Sequence, residues 1–266
     1  MSTETAAAEA EILTERRGAV LWVTFNRPSA RNAMTWWMYD RILTLCDEID
    51  ADPLLRAVVF TGAGEKAFVA GTDISQFRNF STADDVLGYE ARVDRVYSRV
   101  EDIKIPTIAA IKGACTGGGA GFASVCDVRI ASPSSKFGFP VARTLGNCLS
   151  IKNLSRLVSL IGATRVKEMV FTARLFTAAE AYAGGFLNEV APDEGSLLPR
   201  ADELSQTIAG NAPLTIRATK EALRRLARSS PPPDGSDLIT ACYLSNDFRE
   251  GIEAFFAKRP ANWTGT

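Results

Sequence analysis

Two glycine-containing turns are the segments of this sequence that could do chemistry through their backbone. Residues 67–74 (AFVAGTDI) and 113–122 (GACTGGGAGF) each follow a short apolar run, at residues 57–60 and 107–111, typical of a buried strand. Glycines let the backbone approach a ligand closely, and a helix that begins after them directs free N–H groups and partial positive charge towards it. Two such N–H groups from different loops would form an oxyanion hole, which stabilises a carbonyl oxygen as it becomes an enolate.

The side chains that most often act as bases or metal ligands are scarce. The sequence contains no histidine, which excludes a Ser-His-Asp triad. Its five cysteines are scattered without C-x-x-C spacing, at positions Cys46, Cys115, Cys126, Cys148 and Cys242. We therefore predict reduced thiols, no disulfide framework and no bound metal.

The elements that must position the two turns alternate between strands and helices. Apolar, β-rich runs predict strands at residues 19–25, 57–60, 107–111 and 128–131. Apolar side chains spaced three and four apart predict helices at residues 38–49 and 83–102. Strands that alternate with helices over the first 190 residues indicate an α/β core.

The C-terminal part of the sequence has a mostly helical pattern, with segments at residues 204–209, 214–227 and 238–258. We predict three parts along the chain: a disordered N-terminus at residues 1–10, a core at residues 11–195 and a helical C-terminal region at residues 196–266. The three differ in pattern, and no linker separates the last two.

Charge and hydropathy restrict the partners and the compartment. A formal net charge of −1 gives no sign of a nucleic-acid partner. No stretch approaches the roughly 20 apolar residues of a membrane span, so no membrane partner is expected. The N-terminus lacks the basic start and apolar run of a secretory signal. Together with the unpaired pattern of cysteines, these features favour a cytoplasmic protein.

Five ordered motifs resemble those of the enoyl-CoA hydratase/isomerase (crotonase) superfamily. They are N-R-P-x-x-x-N-A-M from Asn26 to Met34, F-x-A-G-x-D-I from Phe68 to Ile74, P-x-I-A-A-I-x-G through G-G-G and C-D from Pro106 to Asp127, F-G-x-P from Phe137 to Pro140, and R-E-G, A-F and K-R-P from Arg249 to Pro260. The resemblance covers residues 15–262.

This resemblance implies a crotonase-like spiral of ββα units with a helical C-terminal region, which assembles as a homotrimer or a homohexamer. Residues 196–266 would then carry the trimer contacts. It also implies an acyl-CoA substrate bound in a bent shape, with no cofactor other than the coenzyme A of the substrate itself.

The resemblance also implies roles for individual residues by their motif positions. The backbone N–H groups of Thr72 and Gly118 would be the oxyanion donors. The residues expected to contact the substrate or its CoA part are Ala30, Arg31, Ala33, Ala70, Thr72, Asp73, Ile74, Gly118, Phe255 and Lys258. Of these, Phe255 and Lys258 would close the CoA site, from the same chain or from a neighbouring subunit.

Two positions depart from the family pattern. Hydratases carry one glutamate two residues after the G-G-G triplet and another directly after F-G-x-P, and these positions are Gly121 and Val141 here. Hydration needs one group to activate water and another to handle the proton at the α-carbon, and neither residue can do this. Restoring glutamate at both positions is expected to raise the hydration of crotonyl-CoA.

The loop after Val141 offers other polar residues near the acyl group. From it we predict Arg143 and Cys148 as catalytic candidates, because an arginine could pair with a substrate carboxylate and a cysteine could react as a thiolate in an electropositive site. Thr144 and Asn147 are the other polar residues of this loop. The carboxylates at Asp84, Asp85 and Glu90 are interpreted as solvated helix residues.

Several functions stay open on this sequence. The first is an acyl-CoA enzyme that stabilises a thioester enolate, with hydration weakened by the loss of both glutamates. The alternatives are a CoA-thioester-binding protein without turnover, or a divergent isomerase, decarboxylase or thioesterase. A dinucleotide-dependent oxidoreductase is the remote alternative, because residues 62–67 (GAGEKA) match G-x-G-x-x-A after a strand. That fingerprint needs a helix to open at the glycines, yet Ala70-Gly71 interrupts soon after them.

Overall fold

The larger of two β-sheets has six strands. The computed structural model describes residues 11–228 and 236–262, so the predicted disordered N-terminus lies outside the described residues. The strands of this sheet are β1 (Ile12–Arg17), β2 (Val20–Phe25), β3 (Ala57–Gly62), β5 (Thr107–Ile111), β7 (Val128–Ala131) and β10 (Glu189–Val190), in the order β1-β2-β3-β5-β7-β10. Within this sheet β1 and β2 pair antiparallel, and the other neighbouring strands pair parallel. Every residue of β3 and β5 is buried, as expected for parallel strands covered on both faces.

A second, smaller sheet carries the residues that precede the two turns. Its strands are β4 (Ala67–Ala70), β6 (Ala114–Thr116), β8 (Lys136–Gly138) and β9 (Phe176–Thr177), in the order β4-β6-β8-β9. The sequence reasoning missed all four, because each is two to four residues long and too short for an alternating pattern. Their pairing nevertheless sets β4 beside β6, and this brings the two glycine-containing turns together.

Helices follow the strands in a regular order. The helices of the core are α1 (Trp36–Ala51), α2 (Ala83–Glu101), α3 (Gly118–Ser124), α4 (Val141–Thr144), α5 (Ile151–Phe171, interrupted at Gly162) and α6 (Ala178–Ala183). The chain passes from β3 to β4 to α2, then from β5 to β6 to α3, and then from β7 to β8 to α4. Each repeat thus consists of one strand of the large sheet, one strand of the small sheet and one helix. Successive repeats form the expected spiral of ββα units.

The C-terminal region is helical, as predicted, but its last segment is divided. Its helices are α7 (Leu197–Gly210), α8 (Pro213–Arg228), α9 (Ser236–Tyr243) and α10 (Asn246–Ala257). The single helix predicted at residues 238–258 is wrong, because Ser245 caps a new helix there by accepting a hydrogen bond from the Phe248 N–H at 2.9 Å. Serine before an apolar helical run was the available signal for this break.

A side-chain cap fixes the start of α2, which follows the first turn. Thr82 and Asp85 form a capping box at the start of α2, in which each side chain bonds the other residue's backbone N–H. Asp85 therefore has a structural role. Asp84 is exposed on the same turn, as predicted.

Phenylalanines of the large sheet hold α3 in place. The ring of Phe122 lies edge-to-face against Phe25 and Phe60, with ring centroids 5.1 Å and 5.0 Å away. Such aromatic pairs contribute about 0.5–1.5 kcal/mol each beyond the burial of their area. Since Phe122 anchors α3 to β2 and β3, the start of α3 has a fixed place above the small sheet.

The helical C-terminal region leaves apolar side chains uncovered on this chain. Leu214, Leu223 and Leu226 of α8 are all more than half exposed. Clustered exposed apolar residues mark interaction surfaces, so these leucines are the place where the predicted trimer contacts would form. None of the helices in the described ranges combines the length and the apolar composition that a membrane span requires.

Candidate active site

A cavity of about 580 Å³ opens at the edge of the small sheet, between the start of α3 and helix α10. Its volume falls within the range of small-molecule sites in proteins. Most of the predicted site residues line it, namely Ala30, Arg31, Ala33, Ala70, Thr72, Asp73, Ile74, Gly118 and Phe255. Lys258, Arg143 and Cys148 are not part of the lining. The structure thus gathers residues that lie far apart in the sequence around one space.

The Thr72 N–H group is directed away from the backbone of Met34, which lies alongside it. Met34 N–H donates to the Gly71 carbonyl and Asp73 N–H donates to the Met34 carbonyl, each at 2.9 Å. Because successive groups of an extended backbone point to opposite sides, the intervening Thr72 N–H points away from Met34. Gly71 reaches this arrangement with φ of 96°, a conformation that favours glycine.

The Gly118 amide is the first of helix α3 and lies against the Thr72 turn. At the first helical position the N–H has no partner inside the helix. A Cβ added at Gly118 would lie 3.2 Å from Thr72 Oγ1 and 3.4 Å from the Gly71 carbonyl carbon, so the two turns are in contact. The preceding Gly117 has φ of 51°, which lets the chain turn sharply from β6 into the helix.

Three tyrosines hold the two turns, and sequence reasoning missed them. The Thr72 hydroxyl lies 2.7 Å from Tyr39 Oη and 3.1 Å from Tyr89 Oη, while Tyr97 Oη–H donates to the Gly118 carbonyl at 2.7 Å. Burial raises the pKa of Tyr39 to about 12 and raises the pKa of Tyr89 and Tyr97 well above 10, so all three stay protonated at neutral pH. All three fall within the helices predicted at residues 38–49 and 83–102, but helical spacing gives no sign of these hydroxyl contacts.

Asp73 is the only carboxylate among the lining residues of the described chain, and it is already engaged. Arg27 Nη2 lies 3.0 Å from Asp73 Oδ2, and the Ser75 hydroxyl donates to Asp73 Oδ1 at 2.7 Å. Burial acts to raise the pKa of Asp73, but the hydrogen bonds from Ser75 and Arg27 outweigh it and hold the pKa below its usual value. A carboxylate that is ionised and bonded in this way braces the turn and is a poor base.

The structure does not place the two catalytic candidates of the loop after Val141 in the cavity lining. Arg143 is exposed at the end of α4, outside the cavity. Burial and the neighbouring Cys242 raise the pKa of the Cys148 thiol, so it stays protonated at neutral pH, the opposite of what a nucleophile needs. Thr144 and Asn147, the other two polar residues of this loop, line the cavity instead.

The missing hydratase glutamate at Gly121 has its space filled by another side chain. A Cβ at Gly121 would lie only 2.7 Å from both the Oη and the Cε2 atoms of Tyr97. From the structure we expect no gain in hydration when the glutamates are restored, because the Tyr97 ring occupies the position that a longer side chain would need. Val141, at the second missing position, lines the cavity as the first residue of α4.

Glu90 differs most from its sequence interpretation. It was expected in solvent, yet it is 7% exposed and accepts a hydrogen bond from Tyr243 Oη–H at 2.7 Å. Burial, opposed by that bond and helped by Asp94, raises its pKa to about 7. The signal was available, because Val86, Glu90, Val93 and Tyr97 follow helical spacing and place this glutamate on the apolar face of α2.

Comparison with known proteins identifies the family of this chain. The sequence matches the enoyl-CoA hydratase/isomerase family over residues 15–266. A short-chain-enoyl-CoA hydratase from Clostridium acetobutylicum is 34% identical over 255 residues, covering 93% of this chain and 95% of that protein.

Solved structures agree with the sequence match. An enoyl-CoA hydratase/carnithine racemase from Magnetospirillum magneticum superposes with a TM-score of 0.79 at 31% identity, covering 96% of each chain. A methylmalonyl-CoA decarboxylase in complex with 2-nitronate-propionyl-CoA superposes with a TM-score of 0.87 at 27% identity, covering 96% of this chain and 99% of that chain. These matches extend over nearly the whole chain and include both turns at the cavity. The chain belongs to the enoyl-CoA hydratase/isomerase family and is an acyl-CoA enzyme of that family.

Proposed function

We propose that this enzyme holds an acyl-CoA thioester between the amides of Thr72 and Gly118 and forms its enolate by decarboxylation of a malonyl-type acyl group. One observation carries the proposal: the cavity borders two backbone amides suited to an oxyanion, but the described residues of its lining offer no carboxylate that is available as a base. An enolate-forming reaction that needs only the two amides fits such a site.

Hydration and isomerisation both need a base or acid at the substrate carbons. Gly121 and Val141 cannot supply one, and Asp73 is bonded to Arg27 and Ser75. Decarboxylation differs, because the bond between the α-carbon and the carboxylate breaks and its electron pair moves onto the thioester oxygen. The products are carbon dioxide and an enolate, and no proton is removed first. Each amide that stabilises such an oxyanion contributes about 3–4 kcal/mol to catalysis.

The enolate must then take up one proton at its α-carbon. Among the described residues, Tyr89 is the one phenol in the cavity lining, and its raised pKa keeps it protonated at neutral pH. Its hydroxyl reaches the Thr72 hydroxyl at 3.1 Å, and that hydroxyl reaches Tyr39 at 2.7 Å. We assign Tyr89 as the proton donor, which regains its proton from solvent after the product forms.

The remaining lining residues suit the CoA part and the assembly predicted for the family. Ala30, Arg31 and Ala33 lie at the end of the cavity formed by the N-R-P motif, where the adenine is expected. Phe255 borders the same cavity from α10, whereas Lys258 is exposed just beyond that helix, where it could reach a CoA phosphate or a neighbouring subunit. The methylmalonyl-CoA decarboxylase with a TM-score of 0.87 supports the choice of reaction.

The test is a comparison of substrates by mass spectrometry. With malonyl-CoA and methylmalonyl-CoA we expect carbon dioxide and the shortened acyl-CoA, and with crotonyl-CoA no hydrated product above background. Tyr89→Phe is expected to lower kcat by about 10²–10⁴, the usual contribution of general acid catalysis. Tyr182→Phe, at an exposed tyrosine away from the cavity, is the matched control and should keep wild-type activity.

Two outcomes would overturn the proposal. Hydration of crotonyl-CoA without release of carbon dioxide from either malonyl-type substrate would show that water addition survives without the two glutamates. Tight binding of these thioesters with no product at all would instead support the binding protein without turnover.

A further inference from the structure

Two aromatic side chains, Tyr89 and Phe77, line the cavity next to the Thr72 turn. The Tyr89 hydroxyl lies 3.1 Å from the Thr72 hydroxyl, and the ring centroids of Tyr89 and Phe77 are 4.9 Å apart in an edge-to-face contact. A thioester held by the Thr72 and Gly118 amides therefore has these two rings beside it. Since the CoA part is assigned to the N-R-P residues, the acyl chain is the part of the ligand that meets the rings.

A second layer of aromatic side chains lies behind these two rings. Its members pack in the same cluster but are not among the lining residues of the described chain, and they are Trp36, Phe80, Tyr243 and Phe248. Each has its ring centroid between 5.2 Å and 6.4 Å from that of Phe77 or Tyr89. Centroid distances of about 4.5–7 Å are those of aromatic rings in contact, so the two layers leave no room for an alkyl chain between them.

The backbone that carries Phe77 is fixed by hydrogen bonds of its neighbour in sequence. Phe77 is the last residue of a short 3₁₀ helix (Ile74–Phe77) and is itself 3% exposed. The Trp36 N–H donates to Gln76 Oε1 at 2.6 Å, and Gln76 Nε2 donates to the Met34 carbonyl at 3.2 Å. The Phe77 ring is therefore held between a fixed backbone and the second aromatic layer, and it has no free space into which it could turn.

Leu145, just after α4, extends the same wall. It lines the cavity, is buried, and belongs to the same apolar cluster as Phe77. A Cβ added at Gly251 of α10 would lie 2.5 Å from the Leu145 carbonyl oxygen, so α10 packs directly on the backbone of Leu145. Like Phe77, Leu145 is therefore a part of the wall that cannot move back when a ligand enters.

We propose that Phe77 is the specificity-determining residue that limits the length of the acyl chain, so that the site accepts short acyl groups and excludes those that reach past its ring. The position of the thioester at the two amides is the part that rests on the proposed function. A short chain gains affinity by burial against the rings. A longer chain has to displace a buried, closely packed ring, and this costs more than the burial of a further CH₂ group contributes.

The test uses calorimetry with the full chain and four saturated thioesters: acetyl-CoA, butyryl-CoA, hexanoyl-CoA and octanoyl-CoA. These ligands share the CoA part and the thioester carbonyl, so they differ in chain length alone. For the wild type we expect the affinity to rise from acetyl-CoA to butyryl-CoA by up to about fourfold per CH₂ group. Hexanoyl-CoA should then bind at least about tenfold more weakly than butyryl-CoA, and octanoyl-CoA no more tightly than hexanoyl-CoA.

Variants of Phe77 separate this role from a structural one. Phe77→Ala opens space as far as the second aromatic layer, so its affinity should continue to rise from butyryl-CoA to hexanoyl-CoA. Phe77→Leu removes less volume and should raise the affinity for hexanoyl-CoA relative to butyryl-CoA. Phe186→Leu, at a buried phenylalanine that is not part of the lining, is the matched control and should keep the wild-type order of affinities. A purely structural loss would weaken all four thioesters together.

The proposal is overturned if the wild type binds hexanoyl-CoA as tightly as butyryl-CoA, or if the Phe77 variants keep the wild-type order of affinities. If Phe77→Ala does not fold, the comparison of Phe77→Leu with Phe186→Leu decides. None of the four ligands has a carboxylate to lose, so a failure of the proposed decarboxylation would leave this binding result intact. Release of carbon dioxide from malonyl-type substrates, together with equal affinity for all four chain lengths, would overturn the length limit alone.

Discussion

Gly121→Glu combined with Val141→Glu is expected to leave crotonyl-CoA hydration at background and to destabilise the fold by about 1–3 kcal/mol or more. The cause is the Tyr97 ring, since its Oη and Cε2 atoms would lie 2.7 Å from the new Cβ even before the rest of the glutamate is placed. Displacing Tyr97 would also break its hydrogen bond to the Gly118 carbonyl and disturb the start of α3. Denaturant unfolding and a hydration assay measure the two effects.

Two controls make this prediction specific to the ring. Gly88→Glu places the same side chain on α2, where a Cβ meets nothing within 4 Å, and it should unfold like the wild type. Tyr97→Ala combined with Gly121→Glu removes the clash, so the double variant should be more stable than the sum of the single effects. A Gly121→Glu protein that is as stable as the wild type with Tyr97 intact would show that the Tyr97 ring moves aside at little cost in free energy, contrary to this account.

Gly119→Ala is expected to cost at least about 3 kcal/mol of unfolding free energy and to lower activity by about 10² or more in any molecules that still fold. A Cβ at Gly119 would lie 2.0 Å from the Val69 carbonyl oxygen and 2.7 Å from its carbon. These are backbone atoms of β4 and cannot move aside as a side chain can. Helix α3 would have to shift away from β4, which separates the Gly118 amide from the Thr72 amide.

Gly88→Ala is the matched control for that substitution. It lies in the helix interior of α2 with open space around its Cβ position, so alanine should be neutral or stabilise by about 0.5–1 kcal/mol. If Gly119→Ala unfolds at the same denaturant concentration as the wild type, the tight contact between α3 and β4 is not real.

The glycine triplet shows both what the sequence could predict and what it could not. Sequence reasoning treated the three glycines alike and did not distinguish their roles. In the structure, Gly117 provides a positive φ, Gly118 borders the cavity and Gly119 makes room for the backbone of β4. A glycine in a motif indicates that the position does not tolerate a side chain. The reason depends on neighbouring residues that come from other parts of the chain.

The motifs pointed to backbone positions that the structure brings together at one cavity, whereas they gave little guidance on the side chains of the loop after Val141. The predicted positions from Ala30 to Ile74, with Gly118, line one cavity because the motif residues are those that fix turns and strand ends. In the loop after Val141, however, reasoning chose Arg143 and Cys148 over Thr144 and Asn147. A helix as short as α4 has no periodic pattern to reveal which residues face inward.

Charged residues were misjudged where burial overrides their usual preference. Glu90 was interpreted as solvated because glutamate is rarely buried, although its helical position placed it among apolar residues. Its partner Tyr243 is distant in sequence, and only the packing of α9 on α2 brings the two together. Such long-range pairs cannot be found from spacing within one helix.

The central claim is that one thioester oxygen lies between two backbone amides from separate turns. A crystal structure of the enzyme with butyryl-CoA, which has no carboxylate to lose, tests it most directly. We predict the thioester oxygen at about 2.7–3.1 Å from both the Thr72 and the Gly118 nitrogen, as in oxyanion holes. A thioester oxygen that contacts neither amide, or butyryl-CoA bound outside this cavity, would contradict the account.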